Sequence, residues 1–213
     1  MPTRLGLVLL AAVALGRAEL IDRIAATVDR DAITESALLL EIRITALLNG
    51  EEPRFDPAAK RAMLDRLIEQ RLIRHEMEVS RYTVPESEAG AHLEAWKKDR
   101  FANDEEYRKE LEKYRVREQD LLDRFRRQLA TLRFLELRFR PGIQVQEADL
   151  RDYYDKRMIP EWQNKNSEPP PFAEVRGQIE EILIGERVDK ALDSWLKDTR
   201  ARTRIEVREE VLR

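Results

Sequence analysis

The sequence predicts a mainly α-helical protein whose small β-sheet joins an N-terminal hairpin to a C-terminal strand. Two observations carry this expectation. Charged residues make up 38% of the 213 positions, and glycine occurs only 7 times. Such usage favours long solvated helices over a compact sheet protein. Apolar residues recur at three- and four-residue spacing through most of the chain, and alternation appears only near Ile24 and Ile205. An isolated terminal strand leaves its backbone groups unpaired, so the two ends are expected to meet. The 42% hydrophobic content is enough to build a core, so the chain is not read as disordered.

The first segment, "MPTRLGLVLLAAVALGRA", has a basic start at Arg4 and an apolar run from Leu5 to Leu15, and it ends in Gly16-Arg17-Ala18. A bilayer span needs about 20 apolar residues, so the run is read as a secretory signal peptide cleaved between Ala18 and Glu19. The alternative is an uncleaved N-terminal anchor. Removal of residues 1–18 takes away two arginines and no acid, moving the net charge from -3 to -5. No global field therefore draws the chain to nucleic acid or to anionic lipid.

"IDRIAATVDRDAIT" reads as a hairpin, with Ile24 to Val28 extended, a turn at Asp29-Arg30-Asp31, and Ala32-Ile33 resuming. Thr34 is placed to cap a helix from Glu35 to about Leu48, which Asn49-Gly50 ends. Asp56 followed by Pro57 is an N-cap with proline at the first helical position, opening a helix to about Arg81. Its stripe is Leu64, Leu67, Ile68, Leu72 and Val79, with His75 expected to be buried and bonded to backbone. Thr83-Val84-Pro85 opens a helix to about Arg100, with Ala89, Leu93 and Trp96 on one face. Asn103 caps the next short helix, with Glu106 at the capping-box position.

Arg117 to Phe139 forms a long helix with the stripe Leu121, Leu122, Phe125, Leu129, Leu132, Leu135 and Phe139. Phe134 and Leu137 lie off that stripe, so each is either covered by a second neighbour or exposed. Pro141-Gly142 breaks the helix, and another begins near Glu147. "MIPEWQNKNSEPPPF" is a polar strap with four prolines. Phe172 to about Arg202 is the second long helix. Its apolar face changes near Gly185, from Phe172, Val175, Ile179, Ile182 and Leu183 to Ile184, Val188, Leu192 and Trp195. The two halves are expected to pack on different bodies, or the helix to bend.

No constellation for catalysis stands out. The chain has no cysteine, no phosphate-binding glycine loop, and two histidines on separate predicted helices, His75 and His92. Asp149, Asp152 and Asp155 fall at helical spacing and read as a solvated face. Arg124, Arg126, Arg127, Arg133 and Arg138 sit among interleaved acids and read as surface charge. No cofactor and no metal is expected.

The order of elements resembles the SurA-type periplasmic chaperones. "ELIDRIAATVDRDAITESALLLEI" is similar to the family's opening hairpin and helix, and "MLDRLIEQRLIRHEMEVSRYTVPESEAGAHL" to its next helical hairpin. "DEEYRKELEKYRVREQDLLDRFRRQLATLRFLE" resembles its third and fourth helices, and "IQVQEADLRDYY" the segment leading into the isomerase module. "PPPFAEVRGQIEEILIGERVDKALDSWLKDTRARTRIEV" resembles its closing helix and strand. One departure is Arg115, where the family often has glycine, which puts a left-handed turn there in question.

After the signal peptide at 1–18, the resemblance implies the N-terminal part of a chaperone core at 19–156, a Pro-rich linker at 157–171 in place of the family's parvulin isomerase module, and a closing helix and strand at 172–213 that completes the core. It implies a periplasmic holdase without catalytic residues, whose partners are unfolded polypeptides, among them outer-membrane β-barrel precursors. Nucleic acid is not among the expected partners, and no integral membrane segment is expected after cleavage. Trp96, Phe101, Tyr107, Phe134 and Leu137 are the candidate client-binding residues, expected in a cradle between the middle helices and the closing helix. Two alternatives are a helical adaptor in an envelope assembly and a chain labelled prolyl isomerase by family membership alone.

Overall fold

The computed structural model describes residues 22–79 and 85–213. The expected signal peptide, its Ala18/Glu19 cleavage point, and Thr83-Val84 lie outside the described residues. Strands β1 (Ile24–Val28) and β2 (Asp31–Thr34) form the expected hairpin. Asp29 turns it with φ 53°. Aspartate tolerates this left-handed conformation because its short carboxylate can bond locally. In this turn the carboxylate also ties in the far end of the chain, Asp29 Oδ1 accepting the Arg204 N–H at 3.2 Å. Strand β3 (Ile205–Val207) pairs antiparallel with β1, Val28 opposite Ile205 and Ala26 opposite Val207. The chain ends therefore meet in one sheet of order β2-β1-β3.

Helix α1 (Glu35–Asn49) starts where Thr34 Oγ1 accepts the Ala37 N–H at 3.3 Å. It ends at Gly50, whose φ of 72° lets its N–H reach the carbonyls of Ala46 and Leu47. Glycine suits this left-handed conformation; a Cβ would also meet the Arg100 guanidinium at 1.8 Å, but that is the far end of a flexible side chain that can move aside. Helix α2 (Pro57–Val79) is capped by Asp56, whose Oδ1 accepts the Ala59 N–H at 3.1 Å. Leu64, Leu67, Ile68 and Leu72 are buried as the stripe requires; the side chain of Val79 is outside the described set. His75 departs from expectation. It is about one-third exposed, and its Nε2 lies 3.0 Å from Asp31 Oδ2. The carboxylate arriving with β2 supplies a partner that the helical pattern alone does not reveal.

The sheet, α1 and α2 share a first core around Ala26, Val28, Ile33, Leu38, Leu64 and Ile68. A short helix α9 (Glu209–Leu212), not anticipated from the sequence, seals it with Val211 and Leu212. Lys60 Nζ bonds the main-chain oxygens of Val211 and Arg213 at 3.3 and 3.2 Å.

Helices α3 (Glu86–Arg100), α4 (Asp104–Tyr114) and α5 (Glu118–Arg138) build a second core with the outer half of α1. Asn103 caps α4 by accepting the Glu106 N–H at 2.9 Å. Glu106 reaches back to the Ala102 N–H at 2.9 Å, one residue short of a true capping box. Between α4 and α5 the left-handed turn forms on Arg115 itself, at φ 54°.

The strap differs from the expected linker. Helix α6 (Glu147–Tyr153) runs through a π-turn (Tyr154–Met158) into α7 (Ile159–Asn164). Pro160 cannot donate an N–H, so the helix widens by one residue just ahead of it, and the Ile159 N–H bonds the Tyr154 carbonyl five residues back. The chain then reverses. Tyr154 Oη donates to the Pro170 carbonyl at 2.7 Å, and the Tyr154 and Phe172 rings meet edge to face at 5.4 Å.

Helix α8 (Phe172–Arg202) is continuous and serves two bodies. Val175 and Ile179 bury against Leu150 and Met158. Trp195 and Leu196 pack on the sheet core and on Ile73, Met77 and Phe134. The change of face near Gly185 is therefore real and marks the division between the two bodies.

Candidate functional site: an apolar groove rimmed by arginines

A groove of about 700 Å³ opens between α1, α2 and α5. Its apolar lining comes from Ala37, Leu40 and Ile44 of α1, Leu67 and Met77 of α2, and Ala130 and Leu132 of α5. Leu132 is 51% exposed. This corrects its place on the expected packed stripe: α1 and α2 leave it uncovered at the groove. Phe134 corrects the stripe in the opposite sense. It is 4% exposed, because Ile73 and Met77 supply the second neighbour.

The rim is cationic, with Arg71, Arg74, Arg124, Arg126 and Arg127 set against Glu41, Asp120 and Asp123. Most of these charges are already paired. Glu41, only 4% exposed, takes Arg124 at 2.8 Å and Arg127 at 3.2 Å and so ties α1 to α5. Arg126 pairs with Asp123 at 2.9 Å, and Arg74 with Asp31. Asp120 takes the Arg117 guanidinium at 2.7 Å, and this hydrogen bonding holds its carboxyl below the usual range. Arg71 differs. Burial pushes its guanidinium pKa down, and Arg74 and Arg127 push the same way. Asp31 and Glu78 act on it in the opposite sense, at longer range.

None of the five residues expected to bind clients lines this groove. Trp96, Phe101 and Tyr107 come together elsewhere. The Trp96 ring lies 5.3 Å from Phe101 and 6.4 Å from Tyr107, in edge-to-face contacts. Phe125 of α5 closes this cluster at 6.3 Å. Burial and the Glu118 carboxylate push the Tyr107 phenol well up, and Lys97 Nζ stands 4.6 Å over its ring. Phe101 and Tyr107 also edge a smaller hollow of about 460 Å³ beside Lys97 and Lys98. Phe134 sits with Phe139 and Trp195 where α5 meets α8, so that part of the expected cradle is filled. Leu137 stands exposed, at 62%.

The basic residues of α5 beyond the groove are engaged too, Arg133 by Glu88 and Arg138 by Glu76 at 3.8 Å. Two members of the aspartate row are paired as well. Asp149 pairs with Arg187 at 2.7 Å, and Asp152 with Lys156 at 2.5 Å. Among the described residues no cluster of three or more His, Asp or Glu is placed to hold a metal. None of their helices is long and apolar enough to cross a membrane.

The sequence reading missed the groove, although a signal was present. Arg71 falls four residues after Leu67 and three after Ile68, on the shoulder of an apolar stripe. A cation in that position marks where the stripe faces something other than core. Compared with known proteins, the chain matches no protein-family model and no curated protein.

Proposed function

We propose that this chain is a holdase-type chaperone of the periplasm, exported by a cleaved leader, which shelters unfolded polypeptides without catalysis. Outer-membrane β-barrel precursors are the clients that the sequence resemblance suggests. The observation that carries the reading is the open apolar groove between α1, α2 and α5, with Leu132 half-exposed inside it. Holding an unfolded chain requires apolar surface that stays open to solvent, together with a charged exterior that keeps the complex dissolved.

Burial in such a groove contributes about 25 cal/mol per Å², offset by ordering of the client, so affinity is expected to be roughly micromolar. The test is dilution of an unfolded β-barrel membrane protein into buffer with and without this chain. Aggregation should be suppressed. Leu132→Ser should weaken suppression several-fold, and Leu137→Ser, exposed but outside the groove, should leave it unchanged. No suppression at several-fold excess over client contradicts the reading and favours a helical adaptor for one specific partner.

A further inference from the structure

We propose that the groove selects apolar segments that carry an acidic side chain, and that Arg71 is the group that reads the carboxylate. This rests on the polypeptide-binding reading above and deepens it. Four of the five rim arginines already have a carboxylate: Arg74 has Asp31, Arg124 and Arg127 share Glu41, and Arg126 has Asp123. Arg71 makes no ion pair or hydrogen bond with the other described residues; its interactions with Asp31 and Glu78 are longer-range.

It stands in a partly dehydrated site beside two further cations, Arg74 and Arg127. A guanidinium in that condition gains more from an incoming carboxylate than one already paired in water, because the new hydrogen bonds are charge-assisted and the like-charge repulsion is relieved. Its position also decides which carboxylate fits. On α2 it lies between Leu67 and Met77, both of which line the groove. A segment laid along the groove therefore presents an internal Glu or Asp to it at mid-length, with apolar side chains on either hand. A chain-terminal carboxylate there would leave half of the groove unfilled.

The test uses a nonapeptide labelled with a neutral dye and amidated at its C-terminus, with Leu and Phe flanking a central Glu, beside its central-Gln counterpart. The full chain should bind the Glu peptide about tenfold more tightly at low salt, with the ratio shrinking as salt is added. Arg71→Gln should bring the ratio to about one without lowering the unfolding midpoint, since the change removes a crowded cation. Arg71→Lys, which keeps the charge but not the fork, should fall between.

If the Gln peptide binds equally well, or if the preference survives Arg71→Gln, the acidic-selectivity proposal fails while polypeptide binding stands. If neither peptide binds, both fail. A free-acid Gln peptide that gains as much as the central Glu would move the carboxylate to the chain end and contradict the proposal.

Discussion

The two halves of α8 show how one helix can belong to two units with different kinds of stability. Its first half packs Val175 and Ile179 on Leu150 and Met158 from the segment immediately before it in sequence. Ion pairs rim that contact, Arg140 with Glu181 at 2.7 Å, Arg157 with Glu186 at 2.6 Å and Arg187 with Asp149 at 2.7 Å. These pairs are largely exposed and individually contribute little. The second half packs Trp195 and Leu196 against the sheet and α2, more than a hundred positions earlier, and against Phe134 of α5, and it delivers β3 to the N-terminal hairpin. One half closes a local unit, whereas the other closes the whole fold. Local units of this kind open below the global unfolding free energy.

Removing residues 203–213 should have the largest effect. It takes away β3 and the buried side chains Val211 and Leu212, each worth about 1.5–3 kcal/mol. A total near 5 kcal/mol is comparable to the stability of a whole domain. Hydrogen exchange at Ala25–Val28 should accelerate strongly, while amides of α6 and the first half of α8 change much less. A uniform change across both would erase the distinction.

Next come paired truncations of two fully buried isoleucines, Ile68 in the sheet core and Ile179 in the outer unit. Each should cost about 3 kcal/mol at its own site. Ile68→Ala should lower the urea midpoint of the whole chain, whereas Ile179→Ala should lower protection mainly from α6 to the middle of α8. If both shift the same global transition by the same amount, the two halves of α8 belong to one cooperative unit.

Acid has a smaller effect and reaches both regions, since the Gln146 N–H and Arg187 hold the Asp149 carboxyl of the outer unit down as well. Hydrogen bonding from His75 holds the Asp31 carboxyl below its ordinary value of 3.8, and the Ser36 hydroxyl does the same for Asp22. The unfolded chain therefore takes up these protons first. The stability they contribute is complete above 3.8 and is lost as pH falls through their lower folded values. Asp31→Asn should flatten the fall of the urea midpoint through that window. An unchanged slope would show that the hairpin carboxylates are not the groups titrating.

The smallest effect expected is a gain. Arg115 holds a left-handed turn at φ 54°, where glycine carries no Cβ penalty. Arg115→Gly should raise stability by about 0.5–1 kcal/mol, read as a higher urea midpoint. A loss would mean that the arginine side chain contributes more than its backbone strain costs.

Much of this architecture is legible in the sequence because local chemistry decides it. Thr34, Asp56 and Asn103 cap helices as their residue types dictate, and the alternation at Ile205 correctly calls for a partner strand at Ile24–Val28. What escaped depends on where a second element lies. Phe134 reads as off-stripe but is covered by α2, and Leu132 reads as core but faces a gap. The strap, polar and proline-broken, reads as linker. Yet a single widened turn carries a helix up to and past Pro160, and Met158 finds Ile179 only after the chain has reversed. The groove lies between three helices, and periodicity within any one of them cannot report that.

Client capture by a light-activated crosslinker tests the central claim most directly. Benzoylphenylalanine is placed at Leu132 inside the groove, and separately at Trp162 on α7, an exposed aromatic of the outer unit. With an unfolded β-barrel precursor present, the account expects strong crosslinking from position 132 and little from position 162, with an excess of unlabelled precursor competing the product away. Equal capture at both positions, or capture only at 162, would contradict the groove as the binding site.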